Sequence, residues 1–103
     1  LDVLPHIPLA KVIKIDEALT QEEKLYAQNP LTHFDFIIYH IMDKVPLLAV
    51  EIDGYAFHHT HKQLNRDRLK DSICKKHNFP LLRLSTTQSA ESKRLKDMLQ
   101  ALL

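Results

Sequence analysis

Glycine is nearly absent from this chain of 103 residues: Gly54 is the only one. A residue used once marks a place where the backbone needs it, and Gly54 follows Asp53 where a strand has to turn. Cysteine is equally scarce. Cys74 stands alone, which excludes an internal disulfide framework and fits a reducing, cytoplasmic compartment. Its place in a helix-like segment points to core packing and not to a nucleophile. No apolar run approaches the roughly 20 residues that span a bilayer, and no signal peptide is visible, so a membrane is not expected among the partners. The chain starts at Leu1, without methionine and directly in an apolar segment, as a piece excised from a longer protein would.

What is present fits a soluble globular domain. Apolar residues make up 45% and charged residues 26%, with both signs represented, a balance that excludes a disordered chain. The length supports one domain, 1–103, with one core. Net charge is only +1, but it is unevenly spread. Residues 1–59 carry four Lys/Arg against nine Asp/Glu, and residues 60–103 carry ten against four. An acidic half beside a basic half is what a metal site next to a polyanion-binding surface needs.

The pattern along the chain predicts a mixed sheet flanked by helices, in the order β-β-β-α-β-α. Val3 to Ile15 is rich in Val, Ile and Leu but holds Pro5 and Pro8, so it reads as an edge or interrupted strand. Asp16 to Gln28 reads as a short helix or an ordered loop, ended by Asn29-Pro30. A hairpin follows, with strands at roughly 33–40 and 47–53 and a turn near Asp43-Lys44. From Lys62 to His77 the period changes to that of a helix, with Leu64, Leu69, Ile73 and Cys74 near one face. Phe79-Pro80 breaks it, and Leu81-Leu82-Arg83-Leu84 reads as a short strand. Residues 85–89 form a loop, and Leu95, Met98, Leu99 and Leu102 give a last helix its apolar stripe. The helix between the third and fourth strands is expected to make a right-handed crossover.

Chemistry concentrates in the hairpin. Glu51-Ile52-Asp53 ends the apolar run Leu47-Leu48-Ala49-Val50, and Asp35 sits inside Phe34-Asp35-Phe36-Ile37-Ile38-Tyr39. Alternation along a strand puts Glu51 and Asp53 on one side, about 7 Å apart. Such carboxylates repel and lose hydration unless a metal, a proton or basic side chains compensate them. Hairpin pairing would bring Asp35 near Glu51 and complete an acidic cluster. The plainer alternative is that Asp35 marks a strand end, Asp53-Gly54 a turn, and Glu51 a structural partner for an arginine. Three acids in adjacent strands, followed at once by Tyr55-Ala56-Phe57-His58-His59-Thr60-His61, favour a site.

An acid on one strand and an acid-x-polar triplet on its neighbour resembles the PD-(D/E)xK nucleases, the restriction-endonuclease-like superfamily. A closer resemblance lies in four blocks: Thr32-His33-Phe34-Asp35-Phe36, Val50-Glu51-Ile52-Asp53-Gly54-Tyr55-Ala56-Phe57-His58, Arg66-Asp67-Arg68-Leu69-Lys70-Asp71 and Pro80-Leu81-Leu82-Arg83. Together they are similar to an uncharacterised nuclease-like domain found at the C-terminus of bacterial superfamily I DNA helicases. Residues 54–59 are also similar to a segment of very-short-patch-repair endonucleases. In the fuller family the domain begins with a further helix bearing another acid, which is expected to be missing from an N-terminally trimmed piece.

The resemblance implies a metal-dependent endonuclease-like domain, attached to the helicase domains of the same parent chain, that cleaves or grips DNA. Asp35 and Glu51 would be ligands of Mg²⁺ or Mn²⁺, and Asp53 would add a ligand or bind a water. His58 would serve as general acid or base. Asp53 stands where the superfamily places its lysine. Lys70 or Gln63, on one helix face with Arg66 or Asp67, could replace the missing lysine from the helix; the alternative is a solvated, salt-bridged face. Gln63, Arg66 and Arg83 are the candidate DNA contacts, with Lys75, Lys76, Lys93, Arg94 and Lys96 as exposed, sequence-independent ones. Zinc on His58, His59 and His61 is the less suitable alternative, because the surrounding acids favour a harder ion. A competing function is a catalytically inactive DNA- or protein-binding module.

Overall fold

The computed structural model describes residues 1–53 and 60–85, together with Asp97, Gln100 and Ala101; Asp53 and Ser85 are described through their backbones alone. Four strands form one sheet in the order β1-β2-β3-β4: β1 is Asp2–Pro8, β2 His33–Tyr39, β3 Pro46–Asp53 and β4 Leu81–Ser85. The first three are antiparallel and β4 runs parallel to β3, so the sheet is mixed and the fold is α+β, as the sequence predicts. Helix α1 (Gln21–Gln28) lies between β1 and β2, and helix α2 (His61–Lys76) carries the chain from β3 to β4.

β1 occupies an edge, the one place where Pro5 and Pro8 leave no missing bond in the ladder. It is shorter than the apolar stretch Val3 to Ile15 predicts. After Pro8 the chain turns into a 3-10 segment, Leu9–Lys11, and the amides of Val12 and Ile13 both donate to the Leu9 carbonyl. Leu9 and Ile13 still reach the core, but from a turn; their apolarity reflects burial and not a strand.

α1 forms because Thr20 and Glu23 make a reciprocal capping box: the Thr20 hydroxyl accepts from the Glu23 amide at 3.1 Å, and Glu23 Oε1 accepts from the Thr20 amide at 2.7 Å. Thr20-Gln21-Glu22-Glu23 is a signal the sequence reading did not use. α2 is capped at its start by Thr60, whose hydroxyl accepts from the Gln63 amide. Its end is a Schellman motif around Asn78 (φ 53°), with the Phe79 amide on the Cys74 carbonyl and the Asn78 amide on the Lys75 carbonyl. Pro80 then keeps the helix from resuming.

The main core lies on the face of the sheet that meets both helices, and contains Leu9, Phe34, Ile37, Ala49, Ile73 and Cys74. The opposite face buries Ile38, Leu48, Val50 and Leu82. On α2 the buried residues are Leu69, Lys70, Ile73 and Cys74. Leu64 corrects the expected apolar face: it is 54% exposed. Five residues before Leu69, it is turned about 140° around the helix from that position. The predicted stripe of the last helix lies outside the described residues, although Asp97, Gln100 and Ala101 are helical.

Candidate functional site

The site begins where the hairpin ladder stops. Paired positions of β2 and β3 run from Tyr39↔Pro46 to Phe36↔Val50, and the next pair along would be Asp35 and Glu51. There the carboxylates replace the ladder. Glu51 Oε2 accepts from the Asp35 amide at 2.8 Å, and Asp35 Oδ2 accepts from the Ile52 amide at 2.8 Å. Each acid is anchored on the backbone of the opposing strand, which fixes both at the open end of the hairpin.

The compensating cation comes from α2. Glu51 is only 5% exposed, and its Oε1 accepts from Lys70 Nζ. The same ammonium donates to the His33 carbonyl at 2.7 Å and stands 5.5 Å from the centre of the Phe34 ring. Burial pushes the Glu51 carboxyl above its ordinary value. The Lys70 charge and the two donated hydrogen bonds oppose that shift, while the nearby Asp35 charge adds to it. Two of the three ammonium hydrogens are used, leaving one beside the cleft that Lys70 lines.

That cleft has a volume of about 360 Å³ and is lined by Tyr26, Asn29, Leu31, Asp35, Arg66 and Lys70, among others. Tyr26 joins it from α1. Burial, with the charges of Glu51 and Asp67, pushes its hydroxyl up to about 12, so it remains protonated and able to donate at neutral pH. Tyr26 belongs to no motif, and sequence reasoning missed it. Arg66 is exposed on the rim, one turn before Lys70.

The remaining predicted residues have other surroundings. Arg83 lies opposite Glu51 on β4 but turns to α2, 3.4 Å from Asp67 and 2.9 Å from Asp71. Gln63 donates to Asp67 at 3.0 Å and so belongs to the same cluster. Lys76 is exposed, as expected, and is also engaged: its Nζ donates to the buried Glu23 at 2.6 Å, and the Ser72 hydroxyl donates to the same carboxylate. Burial works against ionisation of Glu23, but Lys76, Ser72 and the Thr20 amide outweigh it and hold the carboxyl at about 2. Cys74 is buried in the main core, and desolvation pushes its thiol up to about 12, as expected of a packing residue. The Asp53 side chain and His58 and His59 lie outside the described residues; His61 is the exposed first residue of α2.

The donor set suits a hard cation. Among the described residues Asp35 Oδ1 has one ion-pair neighbour, His33 Nε2 at 3.8 Å, and each Glu51 oxygen keeps a lone pair beyond the one its donor uses. Mg²⁺ is commonly held by one or two carboxylates, with waters and substrate phosphate completing its shell. Among the described residues no three His, Cys, Asp or Glu side chains converge as a metal-binding group.

Residues 1–102 match the family described as protein of unknown function (DUF2726). The chain belongs to that family. No curated protein and no solved structure matches it. Within this DUF2726 chain the match spans β1 to β4, so the acids, Lys70 and the cleft all lie inside the family's extent. Among the described residues no helix is long and apolar enough to cross a membrane.

Proposed function

We propose that this DUF2726 domain is a metal-dependent nuclease module of the PD-(D/E)xK type that grips and hydrolyses the DNA phosphodiester backbone. In this reading it serves the helicase domains of a longer cytoplasmic chain. The observation that carries it is the convergence of Asp35, Glu51 and Lys70 at the open end of the hairpin, on the edge of a cleft. The superfamily's lysine is replaced on the strand by Asp53, and α2 supplies a cation to the same carboxylate.

Asp35 and Glu51 would hold Mg²⁺ or Mn²⁺. The ion would supply a bound water of lowered pKa and stabilise charge on the scissile phosphate. Lys70 fixes the rotamer of Glu51 through their ion pair and presents its remaining hydrogen to the cleft, where negative charge on phosphate is stabilised without reorganisation. Tyr26 and Arg66 add donors on the same side, which orient the backbone.

Calorimetry with Mg²⁺ and Mn²⁺ on the protein and its Glu51→Gln variant, with a DNA nicking assay alongside, tests the reading. Binding and cleavage are expected for the native chain and neither for the variant. Cleavage retained by Glu51→Gln would refute it.

A second reading rests on its own observation: both oxygens of Glu51 already accept protein donors. A domain whose acids serve its own fold would be an inactive DNA- or protein-binding module. DNA affinity that falls with salt, without metal-stimulated cleavage, would favour it.

A further inference from the structure

The cleft beside Lys70 is built from donors. The Tyr26 hydroxyl and the Arg66 guanidinium have no protein acceptor among the described residues, and Lys70 keeps one hydrogen. Asn29 uses its side-chain oxygen to accept from the Leu31 amide at 3.0 Å, which leaves its amide hydrogens for the cleft. Among the described residues Asp35 is the only carboxylate in the lining. Four donors around one acid suit an anion held by Arg66 and Lys70 within the same lining as Asp35.

The dimensions narrow the ligand. A volume of about 360 Å³ lies at the low end of small-molecule sites, roughly 300–1,000 Å³, and cannot admit the stacked base pairs of a duplex. Beside the donors stands an apolar surface: Leu31 is 81% exposed on the cleft rim. An exposed leucine next to phosphate donors offers a base or sugar a face to rest on once it has left its stack.

We propose that this cleft seats one unstacked nucleotide of a DNA single strand, its phosphate on Arg66 and Lys70 and its base or sugar against Leu31. The preferred substrate class is then a single strand, a flap or a frayed end. The inference rests on the reading that the domain acts on DNA. It adds that the acids are reached by a strand and not by an intact helix.

The test is fluorescence polarisation of the whole chain in chelator, with labelled oligothymidylate and a blunt duplex of equal length. Single strand is expected to bind roughly tenfold tighter than duplex. Arg66→Ala should weaken it by about the same factor, as loss of one charge-assisted phosphate contact implies. Leu31→Ser should weaken single-strand binding and leave duplex binding unchanged. Both residues are exposed, so neither change threatens folding. Equal affinity for the two probes, or no effect of Arg66→Ala, overturns the nucleotide-cleft proposal while DNA binding itself stands. Failure of both probes to bind overturns the DNA reading along with it.

Discussion

Replacing Lys70 with methionine isolates the electrostatics of the site, because the apolar stem is kept while the charge is removed. Three contacts disappear: the ion pair to Glu51, the bond to the His33 carbonyl and the position near the Phe34 ring. What remains is a carboxylate only 5% exposed, with one oxygen unpaired. Breaking a buried pair from one side costs about 3–5 kcal/mol, mostly the penalty of the orphaned charge. A domain of this size has only about 5–15 kcal/mol of stability, so the variant should melt roughly 12 °C or more lower at neutral pH.

The pH dependence gives the sharper test. The folded-state pKa of Glu51 already lies above its ordinary 4.5, so the native state holds a proton more tightly than the unfolded chain. The contribution of Glu51 to stability therefore falls as pH rises above 4.5 through the raised value. Removing Lys70 raises that pKa further, so the deficit of Lys70→Met should be largest at neutral pH and shrink on acidification. Adding Glu51→Gln should restore most of the loss, since the amide still accepts from Asp35 and can donate to the His33 carbonyl. Urea unfolding followed by circular dichroism between pH 5 and pH 8 reads all three. A deficit below about 1 kcal/mol at neutral pH, the size of a surface pair, would refute the argument. So would a deficit that does not change with pH.

Other consequences are simpler. Glu23, held at about 2, carries stability that is complete above 4.5 and lost as pH falls toward 2; Glu23→Gln should flatten the acid limb of an unfolding titration. Thr20→Ala removes one half of the α1 capping box and should cost about 1 kcal/mol in urea unfolding. Ile73→Ala should cost about 2–5 kcal/mol and Leu64→Ala less than about 0.5, a contrast that tests which face of α2 is buried. Cys74 should resist an aromatic disulfide reagent at pH 8 and react only as the chain unfolds.

The hairpin and α2 were legible because their periods differ: apolar runs in Phe34 to Tyr39 and Leu47 to Val50, helical spacing after Lys62. The meeting of Asp35 and Glu51 followed from hairpin register alone. Lys70 was legible only as one of several residues on a helix face, because its partner depends on how α2 rotates against the sheet. That rotation is set by Leu69, Ile73 and Cys74, and counting Leu64 among them put one apolar residue on the wrong side. Tyr26 was not legible, since its role depends on α1 docking against α2, a contact between segments with no shared pattern. The 3-10 turn after Pro8 shows the same limit: Val, Ile and Leu record burial equally well from a strand or a turn.

α2 ties the site to the stability of the fold. Its buried face carries core residues at 69, 73 and 74 and the site cation at 70, while Asp67 and Asp71 hold Arg83 on β4. A cation placed on β3 itself would move only with the sheet; a cation on α2 reaches Glu51 only when the helix is fully docked. Any change that loosens α2 should therefore uncouple Lys70 from Glu51 before the sheet unfolds. Arg83→Ala provides the case, because it removes the α2–β4 ion pairs without touching Glu51 or Lys70 directly. Hydrogen exchange should show earlier opening of α2 amides with those of β2 and β3 still protected, and the proposed metal-dependent cleavage would fall with α2 protection. Loss of protection in all elements together would mean that helix and sheet open as one unit, and the placement of the cation on α2 would carry no separate consequence.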